Sequence, residues 1–348
     1  MSHPIRRWAA PAVTAALLLA SAACSTGDAA TPGAAPDHNT SAPQHNTSVP
    51  DRITTAYDLP ERAYPESITV DPRTGDVYAS SFLTGAIYRA TPGATAAETF
   101  LAAGADGRRT ANGVKVDAAG RLWVIDHTAG ITVYDTGTRA LLARFDVPAA
   151  GQPFVNDLAI TPDGSVYVTD SVRNVVYRIG PDQLADALAH GGHGGELRVY
   201  LDLGAAKDPA ARNPMTLNGI AADDAGRYLI VVDMTNGDLY RVSTGPQPTV
   251  HPIARTGGDA LDGDGLELRG DTLWVVHNKG NAVSRWRLTD DGAKAELQHR
   301  VTDPALDIPT SIVHTGGHAL VTVSQFDKNG PYGDGVPAGF RIVEISQL

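Results

Sequence analysis

Six times along this chain, a polar residue introduces a short strand in which apolar positions alternate. The copies are Pro65-Glu66-Ser67-Ile68-Thr69-Val70, Ala111-Asn112-Gly113-Val114-Lys115-Val116, Val155-Asn156-Asp157-Leu158-Ala159-Ile160, Leu217-Asn218-Gly219-Ile220-Ala221-Ala222, Gly263-Asp264-Gly265-Leu266-Glu267-Leu268 and Pro309-Thr310-Ser311-Ile312-Val313-His314. The leading residues Glu66, Asn112, Asn156, Asn218, Asp264 and Thr310 are separated by 46, 44, 62, 46 and 46 positions. Alternation of period two marks strands. A repeat of this length made of short strands is the period of a propeller blade. About ten residues after each lead comes a second, mostly apolar strand, at 77–80, 122–126, 166–170, 229–233, 273–277 and 319–324. Gly-rich turns such as Pro162-Asp163-Gly164-Ser165 join the two, as tight hairpins require.

Third strands follow at 86–89, 131–134, 175–178, 238–241, 282–286 and 340–343, and more polar fourth strands close most copies, as at 141–145 and 197–201. The sixth copy stops at its third strand. The missing partner is available in Ile53-Thr54-Thr55-Ala56-Tyr57-Asp58. The expected fold is therefore all-β, a six-bladed β-propeller of four-stranded blades closed by an N-terminal strand in the last blade, which leaves no long open edge. One helix is predicted over 181–189, with Pro181 at its start and Gly191-Gly192 past its end. It lies in the long third interval. His190-Gly191-Gly192-His193, which follows it, is read as a flexible surface loop and not as a metal pair, because no further ligand stands at a suitable spacing.

The first fifty residues change the picture of where the protein works. Arg6-Arg7 precede an apolar stretch over 9–20 that is too short to span a bilayer permanently, and Ser21-Ala22-Ala23-Cys24 ends it. Small residues directly before a cysteine resemble a bacterial lipobox, and Cys24 is the only cysteine in the chain. The expected organisation is a signal peptide over 1–23, a flexible Ala/Pro/Ser/Thr tether over 24–51 beginning at a lipidated Cys24, and the propeller over 52–348. A cell-surface lipoprotein of a bacterium follows, held to the membrane by its lipid alone; simple secretion is the alternative. Net charge is −11, and two units more negative once Arg6 and Arg7 leave. With no basic stripe to neutralise phosphates, nucleic acid is excluded as a partner. A monomer is expected.

Chemistry is expected at one end of the channel. Each innermost strand enters there at its lead residue, and the second strand returns to the same face. Its last residues ring the same mouth: Ser80, Asp126, His127, Asp170, Asp233, His277, Asn278, Ser324 and Gln325. Glu66, Asn156, Asn218 and Asp264 form a candidate cation site, since calcium takes six to eight hard oxygen ligands from carboxylates, amide carbonyls and water. Two carboxylates balance a divalent charge, and the lack of Cys or a leading His argues against zinc or copper. Turn formation into the strand is the alternative reading of these residues, helped by Gly113, Gly219 and Gly265.

These motifs resemble the SMP-30/gluconolactonase/LRE-like family over residues 52–348, and more distantly paraoxonases and diisopropyl-fluorophosphatase. The resemblance implies a six-bladed propeller with calcium at the channel centre, or another divalent cation. It implies ligands at Glu66 in the first blade, Asn156 and Asn218 in the third and fourth, and Asp264 in the fifth. Asn156-Asp157, Asn218-Gly219 and Asp264-Gly265 match the family's motifs. Sugar-lactonase members place Arg two residues before the third-blade Asn, where this chain has Phe154, and Asn112 adds an amide in the second blade. A more apolar small-molecule lactone or ester is therefore the expected substrate.

The leading expectation is a calcium-dependent lactonase- or esterase-like hydrolase. The cation polarises the substrate carbonyl, Asp264 or Asp157 activates water, and His127 and His277 are secondary candidate bases. Asn112, Asn156, Phe154 and Asp170 are the expected substrate contacts. A non-catalytic propeller that binds a ligand or protein around a structural calcium is the competing class, because fold does not set function.

Overall fold

The structure, a computed structural model, describes residues 52–204 and 214–348. The expected signal peptide, Cys24 and the tether lie outside the described residues. Six antiparallel sheets are present, one for each repeat. Their innermost strands are Pro65–Val70, Val114–Val116, Val155–Ile160, Leu217–Ala222, Gly263–Arg269 and Ile312–Thr315. Each touches the next in order, and the last touches the first, which closes a six-bladed propeller. Closure occurs as the sequence predicts: Ile53–Asp58 pairs antiparallel with Arg341–Ile345, from Ile53 opposite Ile345 to Asp58 opposite Arg341. The helix Pro181–Ala189 is also where the sequence places it.

Second strands read as near-continuous apolar runs because blades stack on both of their faces. All five residues of Val166–Asp170 and all six of Tyr228–Asp233 are buried. The packing between the second and third blades holds Trp123, Phe145, Tyr177 and Leu184 of the helix. Each fully buried side chain of this size stabilises the fold by roughly 1.5–3 kcal/mol. The segment after the helix departs from expectation. His193–Glu196 pairs in parallel with Leu141–Asp146 as a fifth strand on the second blade, and Gly192 accepts a hydrogen bond from Arg144 N at 2.7 Å. The unpaired edge of that blade supplies the hydrogen-bond partners that a sequence reading of Gly-Gly flanked by His does not reveal. Ala254–Thr256 covers the edge of the fifth blade in the same way.

The axis is built by a bulge. In four blades, three steps along the innermost strand span two along its neighbour: Val155 faces Asp170 while Leu158 faces Val168, and the same shift separates Pro65 from Ile68, Leu217 from Ile220, and Gly263 from Leu266. A bulge of this kind re-aims side chains. The residue after each lead, Ser67, Gly113, Asp157, Gly219, Gly265 or Ser311, meets the adjacent inner strand. Where it carries oxygen, that oxygen accepts the next strand's amide: Ser67 from Val114 N at 3.2 Å, Asp157 from Ile220 N at 3.3 Å, and Ser311 from Ile68 N at 3.4 Å. In those three blades a hydroxyl on the second strand, Ser80, Thr169 or Thr322, also accepts the backbone N–H of that residue. Elsewhere the position is glycine, and backbone meets backbone directly, as Gly265 N donates to Thr310 O at 2.7 Å.

Gly219 tests this closeness. A Cβ at that position would lie 2.1 Å from the Asp264 carbonyl oxygen, so the two strands would have to separate. Gly219→Ala is expected to destabilise the protein by about 2–3 kcal/mol, the cost of overpacking a tight site. Chemical denaturation of the two proteins measures it, and an unchanged midpoint would refute the interlock.

Candidate metal centre and channel mouth

The bulge turns the lead residues into the channel, where their polar atoms are buried and incompletely partnered. Asn156 Nδ2 donates to Asn218 Oδ1 at 3.0 Å and to Ser171 Oγ at 2.9 Å, which leaves Asn156 Oδ1 buried without a partner. Asn218 Nδ2 donates to Met234 Sδ at 3.3 Å. Asn278 Nδ2 donates to Asp264 Oδ2 at 2.7 Å, and its own Oδ1 has no partner. Both amide atoms of Asn112 are buried and unpartnered, and no hydrogen bond reaches the Glu66 carboxylate from the described residues. Unpartnered buried polar atoms are costly and call for a ligand, ion or water.

Electrostatics point the same way. Burial pushes the Glu66 carboxyl well above its ordinary range, and the charges of Asp264 and Asp157 push it further, while Lys115 opposes them. Burial likewise raises Asp264 to about 8; Asp157 adds to the rise and the amide of Asn278 offsets part of it. Asp157 is raised by burial alone. Acids held this way favour a cation among them. Among the described residues no group of three or more His, Cys, Asp and Glu could hold a metal. The donor set is instead mixed, two carboxylates and amide oxygens, which suits a hard cation. Asn218 Oδ1 keeps a second lone pair beside its bond to Asn156.

Other expected residues are placed differently. Thr310 does not offer a free oxygen: its hydroxyl bonds Thr322 and Ser324 and donates to Pro65 O, tying the sixth blade to the first. Asp157 accepts from Leu158 N at 2.8 Å through Oδ1 and from Ile220 N through Oδ2, so it braces the axis. Asp170 is fully buried and does not line the mouth. Its Oδ1 accepts from the backbone of Phe154, Val172 and Arg173, and Tyr177 donates to its Oδ2. Asp126 and Asp233 tie off the equivalent loops. His277 holds the same position in the fifth blade. It is 0% exposed, with Nδ1 at 2.8 Å from Leu261 O and Nε2 at 2.7 Å from Ser284 Oγ. Burial lowers it to about 4. With both nitrogens engaged, it is no base.

His127 remains available. Its Nδ1 lies 2.9 Å from Thr110 Oγ1, and burial lowers its basicity so that the ring is neutral. It stacks on Phe154 with centroids 4.7 Å apart, and Phe82 stacks against both, at 5.7 Å from His127 and 6.5 Å from Phe154. Phe82 also meets Phe326 at 5.3 Å, and Phe326 meets Tyr332 edge-on at 5.7 Å. Phe82 and Phe326 lie just past the ends of second strands, as His127 does, so the rim register could have found them. Tyr332, in the long 324–340 connection of the sixth blade, carries no such signal. Burial raises the Tyr332 phenol, and the charges of Asp264 and Glu66 raise it further. The cavities of about 220 and 540 Å³ lie elsewhere, among the later residues of the inner strands and the hairpin turns beyond them.

A family model described as SMP-30/Gluconolactonase/LRE-like region matches residues 64–323. The chain belongs to this family, a class of lactonase-like propellers. Among solved structures, a gluconolactonase from Xanthomonas campestris is 18% identical and superposes with a TM-score of 0.58, covering 85% of this chain and 89% of that one. Regucalcin from Agrobacterium tumefaciens, described as a calcium-binding protein, is 15% identical with a TM-score of 0.58, over 84% of this chain and 95% of its own. The allergen Mala s 1 of Malassezia sympodialis is 15% identical with a TM-score of 0.61, over 82% and 93%. At such identities the likeness is one of fold. No curated protein matches by sequence.

The buried imidazole of His277 has a consequence for stability. Its folded value of about 4 lies below the ordinary 6.5, so the unfolded chain takes the proton first. The contribution is complete above pH 6.5 and is lost as pH falls toward 4, by at most about 3 kcal/mol. His277→Gln is expected to flatten the pH dependence of unfolding free energy in that window. An unchanged slope would show that His277 is not buried neutral.

Proposed function

We propose that this protein is a divalent-cation-dependent hydrolase of lactones or esters, with calcium as the cation. The observation that carries it is the tier of buried, unpartnered amide atoms of Asn112, Asn156 and Asn278 beside the buried carboxylates of Glu66 and Asp264. Glu66, Asp264, Asn156 and Asn218 would hold the cation. When bound, it supplies Lewis-acid polarisation of the substrate carbonyl and charge stabilisation of the oxyanion that develops.

The chain's own residues divide the remaining work. Asn112, with an amide donor to spare, orients a substrate oxygen over the tier. His127 takes a proton from the attacking water through Nε2, since Thr110 engages Nδ1 and fixes the ring. The ring is neutral at physiological pH, as a general base must be. Asp157 and Asp170 keep the bulge and the Phe154 loop in place. Phe154, Phe82 and Phe326 exclude water from one side of the mouth.

Purified protein assayed on a panel of lactones and esters, with calcium or with EDTA, tests this reading. Calcium is expected to raise the melting temperature and support turnover, with about 2.7 kcal/mol of stabilisation at a hundredfold excess over the dissociation constant. Glu66→Gln should lose the melting response and turnover together. His127→Gln should keep the melting response and lose roughly 10²–10⁴ in turnover. A melting response without turnover on any substrate would leave a binding propeller with a structural ion.

The N-terminal residues support export and a lipid anchor at Cys24. Membrane association of the full chain should be lost in Cys24→Ser. Equal partition of both proteins into the soluble fraction would favour simple secretion.

A further inference from the structure

We propose that the aromatic arc at the mouth is a binding site for a flat, uncharged, ring-bearing substrate, and that the loop between Val323 and Arg341 closes it through Tyr332. This names the substrate class and so rests on the hydrolase reading above. Phe82, His127, Phe154, Phe326 and Tyr332 come from four different blades, yet their rings form one chain of contacts. Most of these rings are held by rigid neighbours. The Phe154 backbone is bound by Asp170, Phe82 N donates to Tyr64 O at 3.1 Å, and Phe326 is buried. Tyr332 differs: it is 47% exposed, at the end of the chain of rings, where it meets Phe326 edge-on. A large aromatic ring left half in water at the end of such a chain offers apolar surface to a ligand.

The loop that carries it is anchored rather than loose. The Tyr64 hydroxyl donates to the carbonyls of Lys328 at 2.8 Å and Asn329 at 3.0 Å. Lys328 pairs with Asp307, and Ala338 N donates to Gln325 Oε1 at 2.7 Å. Tyr64 adopts a positive φ of 38° two residues before Glu66, so one strained residue joins the loop anchor to the acid tier. From the neighbouring fifth blade, Lys279 reaches over the Tyr332 ring, 5.4 Å from its centroid. The arc offers π faces and few hydrogen-bond donors, which suits an aromatic or alicyclic ring and leaves the hydroxyls of a sugar lactone unpaired. The carboxylates beneath it disfavour an anionic substrate.

Two probes separate this from the hydrolase reading: dihydrocoumarin, a benzo-fused lactone, and chroman, its counterpart without the carbonyl, which nothing can hydrolyse. Wild type is expected to bind chroman saturably by calorimetry. It should also turn over dihydrocoumarin at least tenfold better in kcat/KM than glucono-δ-lactone. Tyr332→Ala and Phe154→Ala should each weaken chroman at least tenfold and shrink that preference. Val336→Ala, in the same loop and 88% exposed, should do neither. Thermal melts confirm that the variants fold, and Tyr332→Leu repeats the test with apolar bulk kept. If no lactone is hydrolysed but chroman binds and Tyr332→Ala loses it, the aromatic site stands and hydrolysis is refuted. If chroman does not bind, or binds both alanine variants as wild type, the site is refuted whatever the lactones do.

Discussion

Six strands meet at one axis, and the room there is too small for six ordinary side chains. This constraint governs the molecule. The position after each lead is glycine where backbone presses on backbone, and Ser or Asp where a side-chain oxygen caps the next strand's amide. The residue opposite follows suit. Hydroxyls at Ser80, Thr169 and Thr322 accompany the oxygen-bearing positions, and Ile125, Val232 and Val276 accompany the glycines. The same bulge that relieves crowding presents Glu66, Asn156, Asn218 and Asp264 to the channel. Site and scaffold are one backbone feature.

That arrangement stores electrostatic cost. Burial raises Glu66, Asp157 and Asp264, the charges of Asp264 and Asp157 raise Glu66 further, Asp157 also raises Asp264, and only Lys115 and nearby amides offset them. Natural cores satisfy buried polar groups. A tier that concentrates unpartnered oxygens and repelling acids on one axis is stable when something positive binds there, so ligand binding and fold stability draw on the same groups. Asp157 shows how near the two roles lie. One residue from the candidate ligand Asn156, it is committed by two amide hydrogen bonds to the joint between blades.

At the rim a second repeated device acts. Asp126, Asp170 and Asp233 each gather the backbone amides of their own loop and of the strand entering the channel. His277 replaces them in the fifth blade by donating where they accept, with Ser284 and the Trp286 indole extending the network. Loops tied in this manner hold His127 and Phe154 in place, as positioning groups on rigid elements requires. The exception is the Tyr332 loop, fastened to the sheet mainly through Tyr64, Lys328 and Gln325.

Much of this was legible in the chain. Period-two alternation at a spacing near 46 determined blade number, strand order and the closing strand, because inter-blade burial imposes apolar positions that local sequence must carry. The lead residues stand out for the same reason: each repeat enters the channel at one register. The sequence could not distinguish His127 from His277, or Asp157 and Asp170 from groups free to act. Such choices depend on which partner lies across a turn or in the next blade, as Ser284 does for His277 and Ile220 for Asp157. Nor could it foresee that His193–Glu196 would cap a neighbouring blade, or that Tyr332 would meet Phe326 at the end of the aromatic chain. Periodicity records burial within a repeat. Contacts between repeats are decided by the closed ring, where residues more than two hundred positions apart, such as Tyr64 and Lys328, become neighbours.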